Sequence, residues 1–276
     1  MKLKKLLSKI LWINNIKWPL GIIGSVGTAF TISGTSTQDF YPIENCVDWI
    51  ITITAVLLTF LLFWVISAYI AAKRADKGIF LKIRGIKVVI KKGDIFESKG
   101  LKLIPFNEYF DTKVDDVVIA HNSLNGKFIK GYANIENLQE TIKQAEEISK
   151  LKSREKDGRR KFPLGRIIKY NDYMLLSFSH FIDNQASLSQ NEYESCLRTM
   201  WDEISRVYAN QPITLPLIGG GITRFTDVSE KNPTYLLRCI LWTLETSNAQ
   251  INQPITIVLP EETIENINLY EIKNKF

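Results

Sequence analysis

Leu215-Pro216-Leu217-Ile218-Gly219-Gly220-Gly221-Ile222-Thr223-Arg224-Phe225 is an apolar run that stops in three consecutive glycines. A short apolar run bounded by glycine reads as the end of a buried strand, here Ile213 to Leu217, followed by a tight loop. Further on, Asn232-Pro233 forms a helix-opening pair, and Leu236, Leu237, Ile240, Leu241 and Leu244 recur behind it at helical spacing. The segment is therefore strand, glycine loop, helix. Glycines lack a Cβ, so backbone amides in such a loop can close on an anion, which is how a diphosphate is held with few charged side chains.

Working outward, the same alternation recurs from residue 79 to residue 276. Candidate strands are Ile86 to Lys91, Leu101 to Pro105, Val117 to Ala120, Tyr173 to Phe178, Ile213 to Leu217 and Ile255 to Leu259. The runs at Val117 and Ile255 look apolar on both faces, as in a sheet covered by helices. Besides the helix after Asn232, two more stripes are legible. One is Leu138, Ile142, Ala145, Ile148 and Leu151; the other is Tyr193, Leu197, Met200, Trp201, Ile204 and Tyr208. Strands alternating with helices predict an α/β fold with a mixed or mainly parallel sheet.

Two further segments sit where ligands collect in such folds, at the carboxyl ends of strands. Ala120-His121-Asn122-Ser123-Leu124-Asn125-Gly126-Lys127-Phe128 follows the third candidate strand, and Gly93-Asp94-Ile95-Phe96 follows the first. Asp94 offers a carboxylate to an exocyclic amine, or serves as a plain turn residue. His121 and His180 are the two histidines, each read first as a structural residue at a strand end.

The first 78 residues are of another kind. No charged residue occurs from Trp18 to Gln38, nor from Trp49 to Ala72, and each run is long enough for a helix to cross the hydrocarbon core. The second run is nearly continuous apolar sequence, whereas Gly21, Gly24, Gly27 and Gly34 dilute the first. Lys2, Lys4, Lys5 and Lys9 precede the first run as in a signal peptide, but it outlasts a signal core and has no clear small-residue cleavage site. Lys17 lies before the first run, Lys73, Arg74 and Lys77 after the second, and only Asp39, Glu44 and Asp48 between them. The positive-inside rule then expects a two-helix, multi-pass hairpin with both termini cytoplasmic. Residues 1 to 17 carry an amphipathic pattern that suits the interface.

Composition removes several classes. The chain has 276 residues with 35 Lys and Arg against 29 Asp and Glu, and 45% hydrophobic residues, which is too apolar for disorder. Three cysteines and two histidines, scattered, give no disulfide framework and no metal spacing, so no metal is expected. Lys150 to Lys161 is a basic, glycine-containing loop without interleaved aromatics, so nucleic acid is not an expected partner either.

Taken together, Gly93-Asp94-Ile95, Val118-Ile119-Ala120-His121-Asn122 and Leu217-Ile218-Gly219-Gly220-Gly221 resemble the macro domain, a three-layer α/β/α module that binds ADP-ribose. The resemblance covers residues 79–276. It implies that Asp94 and Ile95 meet the adenine, that His121, Asn122 and Ser123 flank the distal ribose and phosphates, and that Leu217, Gly219, Gly220, Gly221, Ile222, Thr223 and Arg224 wrap the diphosphate. Phe225 would pack by the distal ribose. Hydrolytic macro domains carry paired asparagines and a glycine run in the first loop. Here Asn122 is kept and the glycine run is not, so no catalytic residue and no resident cofactor are expected.

Two apolar helices ahead of a macro domain resemble the membrane effector of type II Thoeris antiphage defence. That resemblance implies a sensor of an ADP-ribose derivative, such as histidine-ADP-ribose, made by a partner with a TIR domain. It further implies a place in the bacterial inner membrane and a homo-oligomer that forms on activation and damages the lipid bilayer, stopping the infected cell. The alternatives are a membrane-anchored ADP-ribosyl hydrolase and an ADP-ribose-binding scaffold.

Overall fold

The computed structural model describes residues 44–75, 78–149, 160–183, 185–228 and 230–276, with six positions between 20 and 28. The amphipathic segment 1–17, most of the first apolar run and most of the basic loop at 150–161 lie outside the described residues. The chain divides into two compact units, Met1–Lys77 and Gly78–Phe276.

In the first unit, helix α1 spans Cys46–Ala75. Asn45 Oδ1 accepts the Val47 and Asp48 amides at 2.9 and 3.1 Å, occupying donors that the first turn would leave bare. From Cys46 to Ser67 it is long and apolar enough to cross a membrane, and it is the one described helix that is. Its hydroxyls are met internally: Thr52, Thr54 and Thr59 donate to carbonyls one turn back at 2.7 to 2.9 Å. That is what polar groups need where no water is present. The first span of the expected hairpin is not established, because most of it lies outside the described residues.

In the second unit, nine strands form one mixed sheet: β1 Ile79–Ile83, β2 Ile86–Lys92, β3 Leu101–Asn107, β4 Ile167–Tyr170, β5 Tyr173–Ile182, β6 Gln185–Leu188, β7 Ile213–Pro216, β8 Arg224–Phe225 and β9 Ile255–Leu259. The order across it is β1-β2-β9-β7-β3-β5-β6-β8, with β4 paired to β5. From β2 through β9, β7 and β3 to β5 all pairings are parallel, so the carboxyl ends of these strands share one edge. β1 runs antiparallel to β2 and sets Ile79 opposite Ile90, so the chain enters the sheet at that same edge.

Helices cover both faces. α2 (Leu124–Gly131) and α3 (Ile135–Ile148) bury Phe128, Ile129, Leu138 and Ile142 with Ile104, Phe106, Leu175 and Val258 of the sheet. On the opposite face lie α4 (Gln190–Val207) and α5 (Pro233–Glu245), joined through Trp201 Nε1 donating to Thr243 Oγ1 at 3.0 Å. Short helices α6 (Glu261–Ile264) and α7 (Leu269–Lys275) close the chain. The helix starts agree with local chemistry: Ser189 and Glu192 form a capping box on α4, and Asn232 caps α5 ahead of Pro233.

One expected strand is absent. Val117 to Ala120 forms a loop with a single bridge, Val114 to Ile119, and Val117 is exposed. Two carboxylates replace the ladder. Asp115 Oδ1 accepts the Val117 and Val118 amides at 3.0 and 2.7 Å, and Asp116, at φ 61°, accepts the His121 amide at 2.7 Å.

Candidate functional site

At the carboxyl edge of the sheet lies a cleft of about 400 Å³. The ends of β3, β7 and β9 form its floor, with the loop into α2 on one side and the glycine loop on the other. Phe178, Ser179 and Phe181 of β5 close the far wall.

The glycine loop is shaped by backbone and buried side chains. Gly220 N donates to Leu217 O at 3.0 Å, turning the chain directly after β7. The hydroxyl of Tyr193, wholly buried on α4, donates to Ile218 O at 3.0 Å and lies 3.2 Å from Leu236 O. Burial drives that phenol well above its ordinary pKa, so it stays a neutral donor. Of the three glycines only Gly219 takes a positive φ, 82°, and a Cβ there would stand 3.3 Å from the Tyr193 ring. A Cβ on Gly220 would stand 3.1 Å from Leu217 O, and one on Gly221 meets nothing within 4 Å. The left-handed position is thus the first of the three, and the last two face open space or the turn itself.

The opposing loop is set by Ser123. As the N-cap of α2 its Oγ accepts Gly126 N at 3.0 Å and donates to Ala120 O at 2.7 Å. Gly126 is required by close approach: its Cβ would come within 2.3 Å of Ala120 O. Asn122 and Asn125 both line the cleft, and the Asn125 Oδ1 is buried without a hydrogen-bond partner.

Of the residues named from sequence, Asn122, Ser123, Leu217, Gly219, Gly220, Gly221, Ile222 and Thr223 line this one cleft. Asp94 lies outside its lining, at the end of β2, where Gly93 N donates to Leu259 O at 3.2 Å beside the β9 end that does line it. Asp94 is exposed and accepts the Phe96 amide at 2.9 Å, while Ile95 is buried in the core under α2 and α3. Arg224 and Phe225 belong to β8: Arg224 donates to Gln185 Oε1 at 2.8 Å, and the Phe225 ring packs edge-on against Tyr193 at 5.5 Å. The aromatic residues that line the cleft are instead Phe106, Phe178 and Phe181.

Neither histidine is among the residues that line the cleft. His121 Nδ1 lies 2.8 Å from Asp116 Oδ2, and holding the His121 amide and ring lowers the Asp116 pKa. His180 sits between two carboxylates, its Nδ1 2.7 Å from Glu108 and its Nε2 3.1 Å from Glu192. Glu108 is 1% exposed and is also met by Lys161 Nζ at 2.9 Å and the Phe181 amide at 3.3 Å. This cluster anchors β5 directly behind the cleft wall. Sequence reading did not find Glu108 or Lys161, nor Lys231. The Lys231 ammonium donates to Gly221 O, so a cation stands at the glycine loop, its pKa lowered by burial. Its only local signal is its place before the Asn232-Pro233 pair.

The family described as "Thoeris protein ThsA, Macro domain" matches residues 88–260. A curated relative, Thoeris protein ThsA of Bacillus amyloliquefaciens (strain Y2), is 41% identical over 207 residues, covering 71% of this chain and 69% of that protein. Among solved structures, the Oceanobacillus iheyensis macrodomain with ADP is 13% identical, covers 72% of this chain and 95% of that one, and has a TM-score of 0.46. The same macrodomain with MES bound gives 15%, 72%, 95% and 0.47. On the strength of the family match and the 41% identical relative, the chain belongs to the Thoeris ThsA macro-domain family of antiviral defence.

Proposed function

We propose that the chain is a membrane-anchored effector whose macro domain binds an ADP-ribose derivative, such as histidine-ADP-ribose, without turning it over. A TIR-domain partner makes the ligand, and binding drives assembly of copies and disruption of the bilayer. The observation that carries this reading is the convergence of the Gly219 to Gly221 loop and the Asn122-Ser123 loop on one cleft of about 400 Å³, within the size range of a small-molecule site. Phosphates lie along the glycine amides beside Lys231. The adenine extends past the cleft toward Asp94, at the end of the neighbouring strand. Neither histidine lines the cleft, and His180 has both ring nitrogens on carboxylates, which favours binding over hydrolysis.

Calorimetry on the full chain in detergent, with ADP-ribose and with its histidine conjugate, tests the binding. Absence of heat with both ligands refutes it. Release of free ADP-ribose from a modified protein replaces it with the hydrolase reading. Ligand-dependent dye leakage from liposomes carrying the chain tests the outcome, and equal leakage with and without ligand refutes the coupling.

A further inference from the structure

β1 and β2 form a hairpin at the edge of the sheet, and the two faces of that hairpin differ. Ile79, Leu81, Ile83, Ile86, Val88 and Ile90 are buried, and α5 and α7 lie against β1. The alternate positions Phe80, Lys82, Lys87 and Lys91 are exposed, with Val89 half-buried among them. A large apolar ring 65% exposed at Phe80 stands beside three ammonium groups. Register places Lys82 directly opposite Lys87, an unfavourable like-charge pair that the chain tolerates on this face. Among the described residues none of these three lysines pairs with a carboxylate; Lys87 instead lies 5.5 Å from the centre of the Phe80 ring. No Asp or Glu occurs from residue 78 to residue 92.

We propose that this basic, aromatic face docks on an anionic bilayer surface. The inference rests on the reading of α1 as a membrane span and adds a second, peripheral contact to it. α1 ends at Ala75 and β1 begins at Ile79. Only residues 76–78 separate them, so a short stretch of chain ties the hairpin to the helix read as the span. The surface potential of an anionic leaflet acts over about one Debye length, roughly 8 to 10 Å, so the lysines gain from it when this face lies on the leaflet. Unpaired lysines match that potential, and Phe80 matches the boundary between headgroups and acyl chains. Each lysine near such a surface favours the docked state about fivefold, so three favour it on the order of a hundredfold.

The test uses the full chain in nanodiscs of phosphatidylcholine alone or with added phosphatidylglycerol. Lysine acylation is followed residue by residue by mass spectrometry. Lys82, Lys87 and Lys91 should react at least tenfold more slowly in the anionic discs, and high salt should restore their rates. Lys273 and Lys275, on α7 behind the opposite face, should react equally in both. Replacing the three lysines by glutamate should abolish the lipid difference at a thiol introduced by Val89→Cys. Equal rates in both lipids overturn the proposal, and so does protection in neutral discs that tracks two copies per disc, which assigns the face to a second chain. Release of the chain from membranes by alkaline wash overturns the span reading, and the docking proposal with it.

Discussion

Gly219→Ala and Gly221→Val separate the folding role of the glycine loop from its ligand role. At Gly219 the φ of 82° is the left-handed region, where a Cβ costs about 1 to 2 kcal/mol, and the new methyl meets the buried Tyr193 ring at 3.3 Å. For a domain of this size that is about 2 to 8 °C off the melting temperature. At Gly221 a Cβ meets nothing within 4 Å and φ is not positive, so the melting temperature without ligand should stay within about 1 °C of wild type. Gly221 nevertheless lines the cleft, so its new methyl groups take space a diphosphate needs. ADP-ribose at a hundred times its Kd adds about 2.7 kcal/mol to wild-type stability. A tenfold weaker Gly221→Val keeps about 1.4 kcal/mol of that at the same concentration, and a hundredfold weaker one about 0.4. Thermal unfolding of the solubilised full chain, with and without ligand, reads both effects. If Gly221→Val melts like wild type and keeps the whole ligand-dependent rise, the glycine loop is not the phosphate site. If Gly219→Ala melts like wild type, the argument from φ fails.

Asp94→Ala should weaken ADP-ribose binding roughly 5-fold to 150-fold, about 1 to 3 kcal/mol, whereas Asp94→Asn, which keeps an acceptor for the Phe96 amide, should preserve the turn; calorimetry on both variants separates turn from ligand. Bonds from the Ser189 amide and hydroxyl, with His180 beside it, hold the Glu192 carboxyl below its ordinary 4.5. Its stabilising contribution is therefore present above that value and lost as pH falls through the lower folded one, so the melting temperature should drop below about pH 4.5. The drop should be shallower in Glu192→Gln, which retains the capping geometry. Burial pushes the Cys196 thiol up to about 12, so maleimide at pH 8 should leave Cys196 unlabelled until the domain unfolds; labelling at a rate independent of unfolding counts against the packing of α4.

What the sequence made legible was what local chemistry decides. The stop at Gly219, the Asn232-Pro233 cap and the α4 stripe are contiguous signals, and each element lies within a few residues of its expected place. Val117 to Ala120 was misread because apolar residues suggest a strand unless their amides already have partners, and here Asp115 and Asp116 supply them. Helix α2 went unread because Leu124-Asn125-Gly126-Lys127-Phe128-Ile129-Lys130-Gly131 contains two glycines and an asparagine, all poor helix formers. Packing overrides them, since Phe128 and Ile129 are buried and Gly126 must pass Ala120 O. The cluster of Glu108, Lys161, His180 and Glu192 joins positions up to 84 apart, so no window of sequence displays it. Phe225 illustrates the converse: the resemblance assigns it to the distal ribose, while its ring packs on Tyr193.

Topology narrows how a ligand could act on the proposed membrane span, helix α1. Gly78, which opens the macro domain, has a φ of 125°, and a Cβ on it would stand 2.7 Å from Ile90 O and 3.0 Å from Lys91 Cβ. It is therefore pressed against the last turns of β2, which lead directly into Gly93 and Asp94. The point of chain entry and the proposed adenine end of the site consequently share one strand end, and the route between them runs through β2 rather than across the domain. A ligand that reorders the Asp94 turn acts on residues hydrogen-bonded to the entering strand. Moving an assembly equilibrium from about 1:99 to 99:1 requires roughly 5.5 kcal/mol of preference for the assembled state. One reordered turn with one or two hydrogen bonds supplies a few kcal/mol at most. Under the proposed assembly, the balance would come from ligand contacts made only in the assembled state, which would link ligand binding to self-association. By reciprocity the ligand's affinity should then rise with protein concentration in the membrane. Calorimetric affinities that stay constant across a wide range of protein-to-lipid ratios would exclude that linkage.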